Sequence, residues 1–315
     1  MTRHSKKKSK VSNNFFLKNI FLLLALLVAI FGLISVVRLV TSPKDVEKSQ
    51  AASELLYIGA NNEVKTFNSA TKVWKSLGVQ GNTIWQIKKY NGKLYFGFSD
   101  GVVKSYDRST WQNHGDKGDS ITTMEVFSNK LYVGQFQGYL KFYDGTSWRS
   151  LAKQESSITS LKTYNNKLYL GFTNGCIKSY DGTWKQIGCP LPSLPIEEME
   201  VYNNKLYIGY GSVDGNVYSY DGVGTLTQGK VASGVRSMKM FNGKLYAGSQ
   251  DGVLYVFENG NWKNLGDKGR AIQTLTANSV FLYTGDSDGY VRSFNGTVWD
   301  YPGDAGPGIY SIELY

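Results

Sequence analysis

Short apolar runs alternate with turn residues along most of the chain, and one pattern returns seven times. Each run is short, rich in apolar and aromatic residues and bounded by turn residues, which is typical of a β-strand. The tyrosine of a repeated Leu-Tyr pair recurs every 37 to 39 residues, at Tyr57, Tyr95, Tyr132, Tyr169, Tyr207, Tyr246 and Tyr283. A second register with the same spacing opens each unit, at Ile84, Ile121, Ile158, Ile196, Val235, Ile272 and Ile309. Two registers that agree indicate a structural repeat.

One unit contains four such runs, separated by turn signals. The unit that starts at Ile121 gives "ITTMEVF", "KLYVG", "YLKFY" and "WRSL". Asn-Gly, Asn-Asn and Asp-Gly pairs supply the positive φ values that tight hairpins need. No run shows the 3.6-residue period of a helix, which excludes helical repeats. Four antiparallel strands in one short repeat predict the blade of a β-propeller.

The two ends of the repeat region predict how the ring closes. The first unit begins at Glu54 without an opening strand, and the last unit stops at Tyr315 after an opening strand alone. This orphan strand, 309–315, should become the innermost strand of blade one, so that no sheet edge stays open between the first and last blades. The sequence thus predicts an all-β, seven-bladed propeller of four-stranded antiparallel blades.

One copy also resembles a known kind of repeat. The stretch "NGKLYAGSQDGVLYVFENGNWKNLG", from Asn242 to Gly266, resembles a short kelch-type repeat with a Tyr-Gly strand, a Tyr/Phe strand and a Trp strand. The double Gly of kelch repeats is absent, and so are the Gly-His and Trp-Asp pairs of WD repeats. The resemblance is therefore to the architecture that these propellers share. It covers 54–315 and implies a module that binds proteins, peptides or glycans.

The N-terminal residues have a different character. The run "IFLLLALLVAIFGLISVV", from Ile20 to Val37, contains no charged residue. As a helix it would reach roughly 27 Å, about one hydrocarbon core. Six basic residues and no acidic residue precede it, whereas both signs follow it. The positive-inside rule then predicts a single-pass membrane protein whose N-terminus is cytoplasmic.

We therefore expect a basic cytoplasmic tail at 1–18, a transmembrane signal-anchor helix at 19–40 and a stalk at 41–53. The propeller at 54–315 would then be extracytoplasmic, in a periplasm or at the cell surface, with the membrane as one partner through the helix. A cleaved signal peptide is the alternative, and it also exports the propeller.

The net charge is distributed unevenly between the N-terminal residues and the repeat region. Residues 1–50 hold nine Lys or Arg and two acidic residues, so they carry +7 of the total of +10. The repeat region is only weakly basic, and nucleic acid is not an expected partner.

Comparison of the copies separates constant positions from variable ones. A tryptophan opens the fourth run in six copies, and aromatic packing explains it: Trp74, Trp111, Trp148, Trp184, Trp262 and Trp299. Blade five reads "GVGTLTQG" in this region and has no such tryptophan. We expect a looser outer edge there.

Two positions vary widely between copies. The residue after the opening Ile or Val is Trp85, Thr122, Thr159, Glu197, Arg236, Gln273 or Tyr310. The residue after the glycine of Leu-Tyr-x-Gly is Ala60, Phe98, Gln135, Phe172, Tyr210, Ser249 or Asp286. Both positions fall at the same end of a four-stranded meander, so both should surround one mouth of the central channel. Aromatic, amide and charged groups around a concavity favour a polar ligand with some apolar surface, an unknown protein, peptide or glycan. The candidate site comprises Trp85, Glu197, Arg236, Gln273, Tyr310, Phe98, Gln135, Phe172, Tyr210 and Asp286.

The two cysteines flank one hairpin. Cys176 begins the third run of blade four and Cys189 follows its tryptophan run, and the turn between them is Asp181-Gly182. The positions are almost symmetric about that turn, so we expect a disulfide, which suits an oxidising compartment. Two free thiols are the alternative.

Groups with catalytic potential are few. His4 and His114 form no metal or triad pattern, and we expect no metal and no cofactor. Glu197 and Glu198, with Arg236, are the candidates for acid–base chemistry. The leading interpretation is a membrane-tethered binding module that performs no chemistry. A carbohydrate-active enzyme of the glycosidase or lyase kind, with acidic residues at the mouth, is one alternative. An envelope-assembly scaffold that uses the sides of the propeller is the other.

Overall fold

A computed structural model describes residues 54–211 and 215–315. The predicted tail, membrane helix and stalk at 1–53 lie outside these residues. Within the described residues, no helix is long and apolar enough to cross a membrane.

Tight turns fold each repeat back on itself. In the turn after the inner strand of blade two, Asn91 and Gly92 have φ values of 45° and 67°. Asn and Gly tolerate this left-handed conformation better than other residues, which explains the repeated Asn-Gly and Asn-Asn pairs.

Seven four-stranded antiparallel sheets result, as the sequence predicts. From blade one to blade seven, the inner strands are Ile309–Leu314, Ile84–Tyr90, Ile121–Phe127, Ile158–Tyr164, Ile196–Tyr202, Val235–Phe241 and Ile272–Ala277. The second strands are Leu55–Ala60, Lys93–Phe98, Lys130–Gln135, Lys167–Phe172, Lys205–Tyr210, Lys244–Ser249 and Leu282–Asp286. The third strands are Glu63–Asn68, Val102–Tyr106, Leu140–Tyr143, Ile177–Tyr180, Asn216–Tyr220, Val253–Glu258 and Tyr290–Phe294. The outer strands are Val73–Val79, Trp111–Asp116, Trp148–Ser150, Trp184–Gly188, Thr225–Lys230, Asn261–Asp267 and Trp299–Asp304.

The C-terminal strand closes the ring, which confirms the predicted closure. Ile309–Leu314 pairs antiparallel with Leu55–Ala60, with Ile312 opposite Ile58. The backbone N–H of Ile87 in blade two donates to the Ser311 hydroxyl at 3.0 Å, so this strand also contacts the next blade. Both ends of the propeller are therefore held in one sheet.

Neighbouring blades pack through a glycine and a β-branched residue. A Cβ atom added to Gly59 would lie 2.8 Å from Cγ2 of Ile84, which opens the next blade and is fully buried. Each of the other six Leu-Tyr-x-Gly glycines faces the opening Ile or Val of the following blade in the same way. The glycine recurs because any side chain there would separate the blades.

Two of the outer tryptophans clamp their blade to the preceding one. Trp74 of blade one packs against Phe67 with ring centroids 5.0 Å apart, and its indole N–H donates to the Pro302 carbonyl of blade seven at 2.9 Å. Trp262 of blade six donates in the same way to Gln228 of blade five at 3.1 Å. In blade five, Thr225 takes the tryptophan position opposite the third-strand aromatic residue and is exposed. The outer strand of blade four therefore receives no such clamp.

Candidate functional site

Every inner strand has a one-residue β-bulge at the position that the sequence identifies as variable. In blade two, Ile84 pairs with Phe98 and Gln86 pairs with Gly97, so that Trp85 has no partner on the neighbouring strand. The same register shift occurs in the other six blades. Along a strand, side chains alternate between the two faces of the sheet. A bulge interrupts this alternation, so the side chain of the extra residue points in a different direction. All seven bulged residues line one cavity of about 420 Å³ at the channel mouth: Trp85, Thr122, Thr159, Glu197, Arg236, Gln273 and Tyr310.

The second set of predicted residues does not line this cavity, and that prediction is wrong. The side chains of this set are buried within and between the blades: Phe98, Gln135, Phe172, Tyr210 and Asp286, together with Ala60 and Ser249. Each is the cross-strand partner of a buried opening residue, as Phe98 is of Ile84. Cross-strand partners point to the same face of a sheet, so both side chains enter the interior.

The polar members of this second set make structural contacts. Gln135 donates through Nε2 to the Asp119 carbonyl at 2.6 Å. The Asp286 carboxylate accepts backbone N–H groups from its own turn and pairs with Arg292 at 2.5 Å. These groups hold the loops that surround the mouth, and of the two variable sets only the bulged residues line the cavity.

Aromatic side chains occupy one side of the mouth. The rings of Trp85 and Tyr310 lie 4.5 Å apart at an interplanar angle of 47°. Trp85 remains 37% exposed, and Phe136 from the neighbouring blade lines the same cavity and is 58% exposed. Exposed aromatic faces at the rim of a cavity favour stacking with a ligand.

An ion pair occupies the other side. Arg236 Nη1 lies 3.4 Å from Glu197 Oε2. The Nε atom of Arg236 is buried and has no hydrogen-bond partner among the described residues. Burial raises the pKa of the Glu197 carboxyl, and the attraction of Arg236 opposes this effect. The long contact leaves hydrogen-bonding capacity on the exposed part of the guanidinium for a ligand.

Glu197 owes its position to a glycine. Any Cβ atom on Gly211 would overlap the Glu197 side chain. The residues at the corresponding position of the other blades all carry side chains: Asn61, Ser99, Phe136, Thr173, Gln250 and Ser287. Blade five thus combines a carboxylate with the glycine that makes room for it.

Two threonines separate the aromatic side from the charged side. The hydroxyl of Thr122 donates to the carbonyl of Gly134 at 2.9 Å, and that of Thr159 to the carbonyl of Gly171 at 3.0 Å. Threonine side chains are short, and these two hydroxyls donate to the backbone, so both positions leave space in the mouth.

The blades contact one another in chain order around the ring. Trp85 and Tyr310 lie at the junction of blades two and one. In either direction, three blades lie between this junction and blade five, which carries Glu197. The aromatic pair therefore faces the carboxylates across the channel.

Deeper in the channel, a ring of charged residues follows three positions after each bulge. We call it the charged girdle: Glu313, Lys88, Glu125, Lys162, Glu200, Lys239 and, as its one neutral member, Thr276. Lys88 and Glu125 pair at 2.7 Å, and Lys162 and Glu200 pair at 2.6 Å. Among the described residues, Lys239 and Glu313 have no ion-pair partner within 4.0 Å.

Glu198 lies between the mouth and the girdle. Burial raises the pKa of its carboxyl to about 7, although Lys162 draws the pKa down. The carboxylate accepts the backbone N–H of Met199 at 2.9 Å and, among the described residues, has no ion-pair partner within 4.0 Å. In the other blades this position is a hydroxyl or amide: Gln86, Thr123, Ser160, Ser237, Thr274 and Ser311.

Phe136 and the charged girdle are not among the predicted site residues, although the sequence contains a signal for both. Phe136 is the only aromatic residue in its position among the seven copies. The girdle position alternates in charge from copy to copy, although the residue before it is apolar in every copy. A comparison of every position, and not only of the strand ends, would identify both.

The two cysteines lie away from the cavity. Cys176 and Cys189 form a disulfide whose Cα atoms are 3.9 Å apart. It joins the start of the third strand of blade four to the residue that follows the outer strand. This is the outer strand that lacks a tryptophan clamp from blade five.

No protein-family model and no curated protein matches this sequence. The kelch-type and WD-type resemblance thus has no family-level support.

Solved structures share the fold. The extracellular domain of a putative hybrid two-component system from B. thetaiotaomicron is 18% identical over 75% of this chain and 36% of that chain, with a TM-score of 0.63. The extracellular domain of a putative one-component system from the same organism is 17% identical over 81% and 46%, with a TM-score of 0.60. The chain spans less than half the length of these two proteins. The computationally designed Ika8 protein is 20% identical over 76% of this chain and 80% of that chain, with a TM-score of 0.61. At these identities the likeness shows the propeller fold alone.

Proposed function

We propose that this protein is a membrane-tethered, extracytoplasmic binding module that recognises a protein, peptide or glycan at the mouth of its channel. The observation that carries the proposal is the single cavity in which the Trp85–Tyr310 pair faces the carboxylates of blade five. Its volume of about 420 Å³ falls within the range of small-molecule sites.

The bulges favour binding over a purely structural lining. Inside the blades, packing restricts the opening position to Ile or Val and the glycine of Leu-Tyr-x-Gly to glycine. The bulged positions carry no such restriction, and they hold an indole, a phenol, a carboxylate, a guanidinium and an amide around one opening. Side chains of this kind supply both contact area and hydrogen bonds to a ligand.

The cellular placement rests on the N-terminal sequence. The basic tail and the uncharged run from Ile20 to Val37 are typical of a signal anchor. An extracytoplasmic propeller is compatible with the two structural neighbours that are extracellular domains.

One observation favours a second candidate, a carbohydrate-active enzyme. A general acid works best when its pKa is near the working pH, and burial raises the pKa of Glu198 to about 7. Glu197 and Glu200 lie on the same strand and could provide a second carboxylate. For an enzyme, Glu198→Gln would abolish glycan cleavage and preserve binding; for a binding module, no cleavage occurs in either protein.

The purified full-length chain tests the main proposal. Wild type, the Trp85→Ala/Arg236→Ala double variant and a Val223→Ala control would be compared on a glycan array and in pull-downs from solubilised membranes. Val223 is 95% exposed at the outer edge of blade five, remote from the cavity. We expect wild type and control to capture the same molecules and the double variant to lose them. Equal capture by all three proteins would move the binding site away from the channel.

A further inference from the structure

The charges of the cavity do not balance. Its lining contains five carboxylates and four cationic groups: Glu125, Glu197, Glu198, Glu200 and Glu313 against Lys88, Lys162, Arg236 and Lys239. Three carboxylate–cation pairs lie within 4.0 Å of each other. Of the lining groups, Glu198, Glu313 and Lys239 are left without an ion pair. A single lysine thus remains for two carboxylates.

The unpaired carboxylates lie beneath the aromatic rim. Glu313 follows Tyr310 by three residues in the inner strand of blade one, so it lies roughly 10 Å deeper. Glu198 lies on blade five, across the channel from the junction that carries Trp85 and Tyr310. A group that enters from the mouth therefore passes the exposed aromatic faces before it reaches either carboxylate.

Aromatic faces and carboxylates attract the same kind of group. The face of an aromatic ring carries partial negative charge and attracts ammonium and guanidinium ions. An unpaired, partly buried carboxylate lacks the partner that would offset its loss of hydration. A ligand cation would supply that partner and lower the pKa values of Glu198 and Glu313, which burial raises, whereas a ligand anion would raise them further.

On the basis of the proposed binding function, we infer that the channel receives an alkylammonium or guanidinium group. The cation lies between Glu198 and Glu313, and its apolar stem lies against Trp85, Tyr310 and Phe136. A lysine or arginine side chain of a protein partner and a free diamine share this chemistry.

The test uses the full-length chain labelled with 5-fluorotryptophan. The ¹⁹F signal of Trp85 is identified by its absence in Trp85→Phe, and it reports occupation of the mouth. The probes are pentapeptides of the form acetyl-Gly-Gly-Xaa-Gly-Gly-amide, in which Xaa is Lys, Arg, norleucine or Glu. Cadaverine and chitotriose complete the set. The remaining tryptophan signals show whether each variant is folded.

We expect the Lys and Arg peptides to shift the Trp85 signal with Kd values at least about tenfold lower than that of the norleucine peptide, since contacts with a charged group are strong. The Glu peptide should not bind. The Glu198→Gln/Glu313→Gln variant should lose this tenfold preference, whereas Lys239→Gln should bind the Lys peptide as tightly as wild type or more tightly. Cadaverine that binds as tightly as the Lys peptide would identify a free amine as the source, and weaker binding would identify a protein side chain.

Other outcomes overturn the inference. Equal binding of the Lys and norleucine peptides, tighter binding of the Glu peptide, or no shift with any cationic probe at millimolar concentrations would each do so. If chitotriose shifts the Trp85 signal and the cationic probes do not, the inference fails and the binding function stands. If no probe shifts the signal and the Trp85→Ala/Arg236→Ala variant also captures like wild type, both fail.

Discussion

Blade five and blade one have the same four strands and differ at both ends of the sheet. At the channel, blade five presents Glu197, Glu198 and Glu200, whereas blade one presents Tyr310, Ser311 and Glu313. At the outer edge, blade five has the exposed Thr225 where blade one has Trp74. Between these ends the two blades pack alike, with a fully buried opening isoleucine in each. The comparison teaches that packing between blades fixes the middle of a sheet and leaves both of its ends free to diverge.

The largest effect should come from the outer clamp. Trp74→Ala removes an aromatic contact and an interblade hydrogen bond, and we expect the free energy of unfolding to fall by about 3 kcal/mol. At the corresponding position of blade five, Thr225→Ala should change it by less than about 0.5 kcal/mol, because Thr225 is exposed. Urea denaturation of both variants measures the difference. Similar losses in the two would mean that blade five has an outer clamp of another kind.

The disulfide should rank next, because it braces the outer strand that blade five leaves without a tryptophan. Replacing Cys176 and Cys189 with Ser removes a link across 13 residues. Loops of this length correspond to about 3 kcal/mol of unfolding free energy, less any strain in the native bond. Thermal denaturation with and without dithiothreitol provides the control. The reductant should destabilise wild type and leave the Ser variant unchanged; a wild type insensitive to it would argue against a bracing role.

A smaller effect should follow from Gly211→Ala at the mouth of blade five. The added methyl group overlaps the Glu197 side chain, and overpacking of this kind costs about 1–3 kcal/mol. Displacement of Glu197 should also break its contact with Arg236. Gly224→Ala, in the same blade, adds a methyl group that meets no atom within 4 Å and should be almost neutral. Equal stability of the two variants would show that Glu197 moves aside without cost.

The last effect depends on pH and also separates blade five from its neighbours. The pKa of Glu198 rises from 4.5 to about 7 on folding, so between these values the folded state keeps a proton that the unfolded state has released. Stability should therefore fall as the pH rises through this range, despite the nearby Lys162 and Lys239. Glu198→Gln removes the dependence, so its stability relative to wild type should increase from pH 4 to pH 8, by up to about 3 kcal/mol.

Glu155→Gln provides the control for this prediction. The side chain of Glu155 is 89% exposed, so the substitution should follow the pH profile of wild type. Melting temperatures between pH 4 and pH 8 measure all three proteins. A Glu198→Gln profile parallel to that of wild type would mean that Glu198 titrates normally.

The number of blades and the closing strand could be predicted from the sequence because spacing alone specifies them. Turn residues fix where each strand ends, and the orphan strand at 309–315 has one sheet to join. Half of the candidate site could be predicted for a related reason. The residue after each opening Ile or Val is free to vary, and this freedom is visible when the copies are compared.

The other half of the candidate site could not be placed without knowing which residues of neighbouring strands are paired. Phe98 and its counterparts end a strand near the mouth, but each faces a buried opening residue and so points inward. The bulge that turns Trp85 into the channel adds one residue to the strand without leaving a composition signal. The raised pKa of Glu198 likewise depends on burial among groups from several blades, which no local pattern shows.

Seven is an odd number, and the charged girdle reflects it. Around the ring the signs run negative, positive, negative, positive, negative, positive, and at Thr276 the alternation stops. Because the ring has seven members, a strict alternation of sign cannot close on itself, and one position must interrupt it. In a ring of six or eight blades the alternation could run without a break. Here the neutral Thr276 takes the odd position and separates Lys239 from Glu313, so neither has an oppositely charged neighbour on that side.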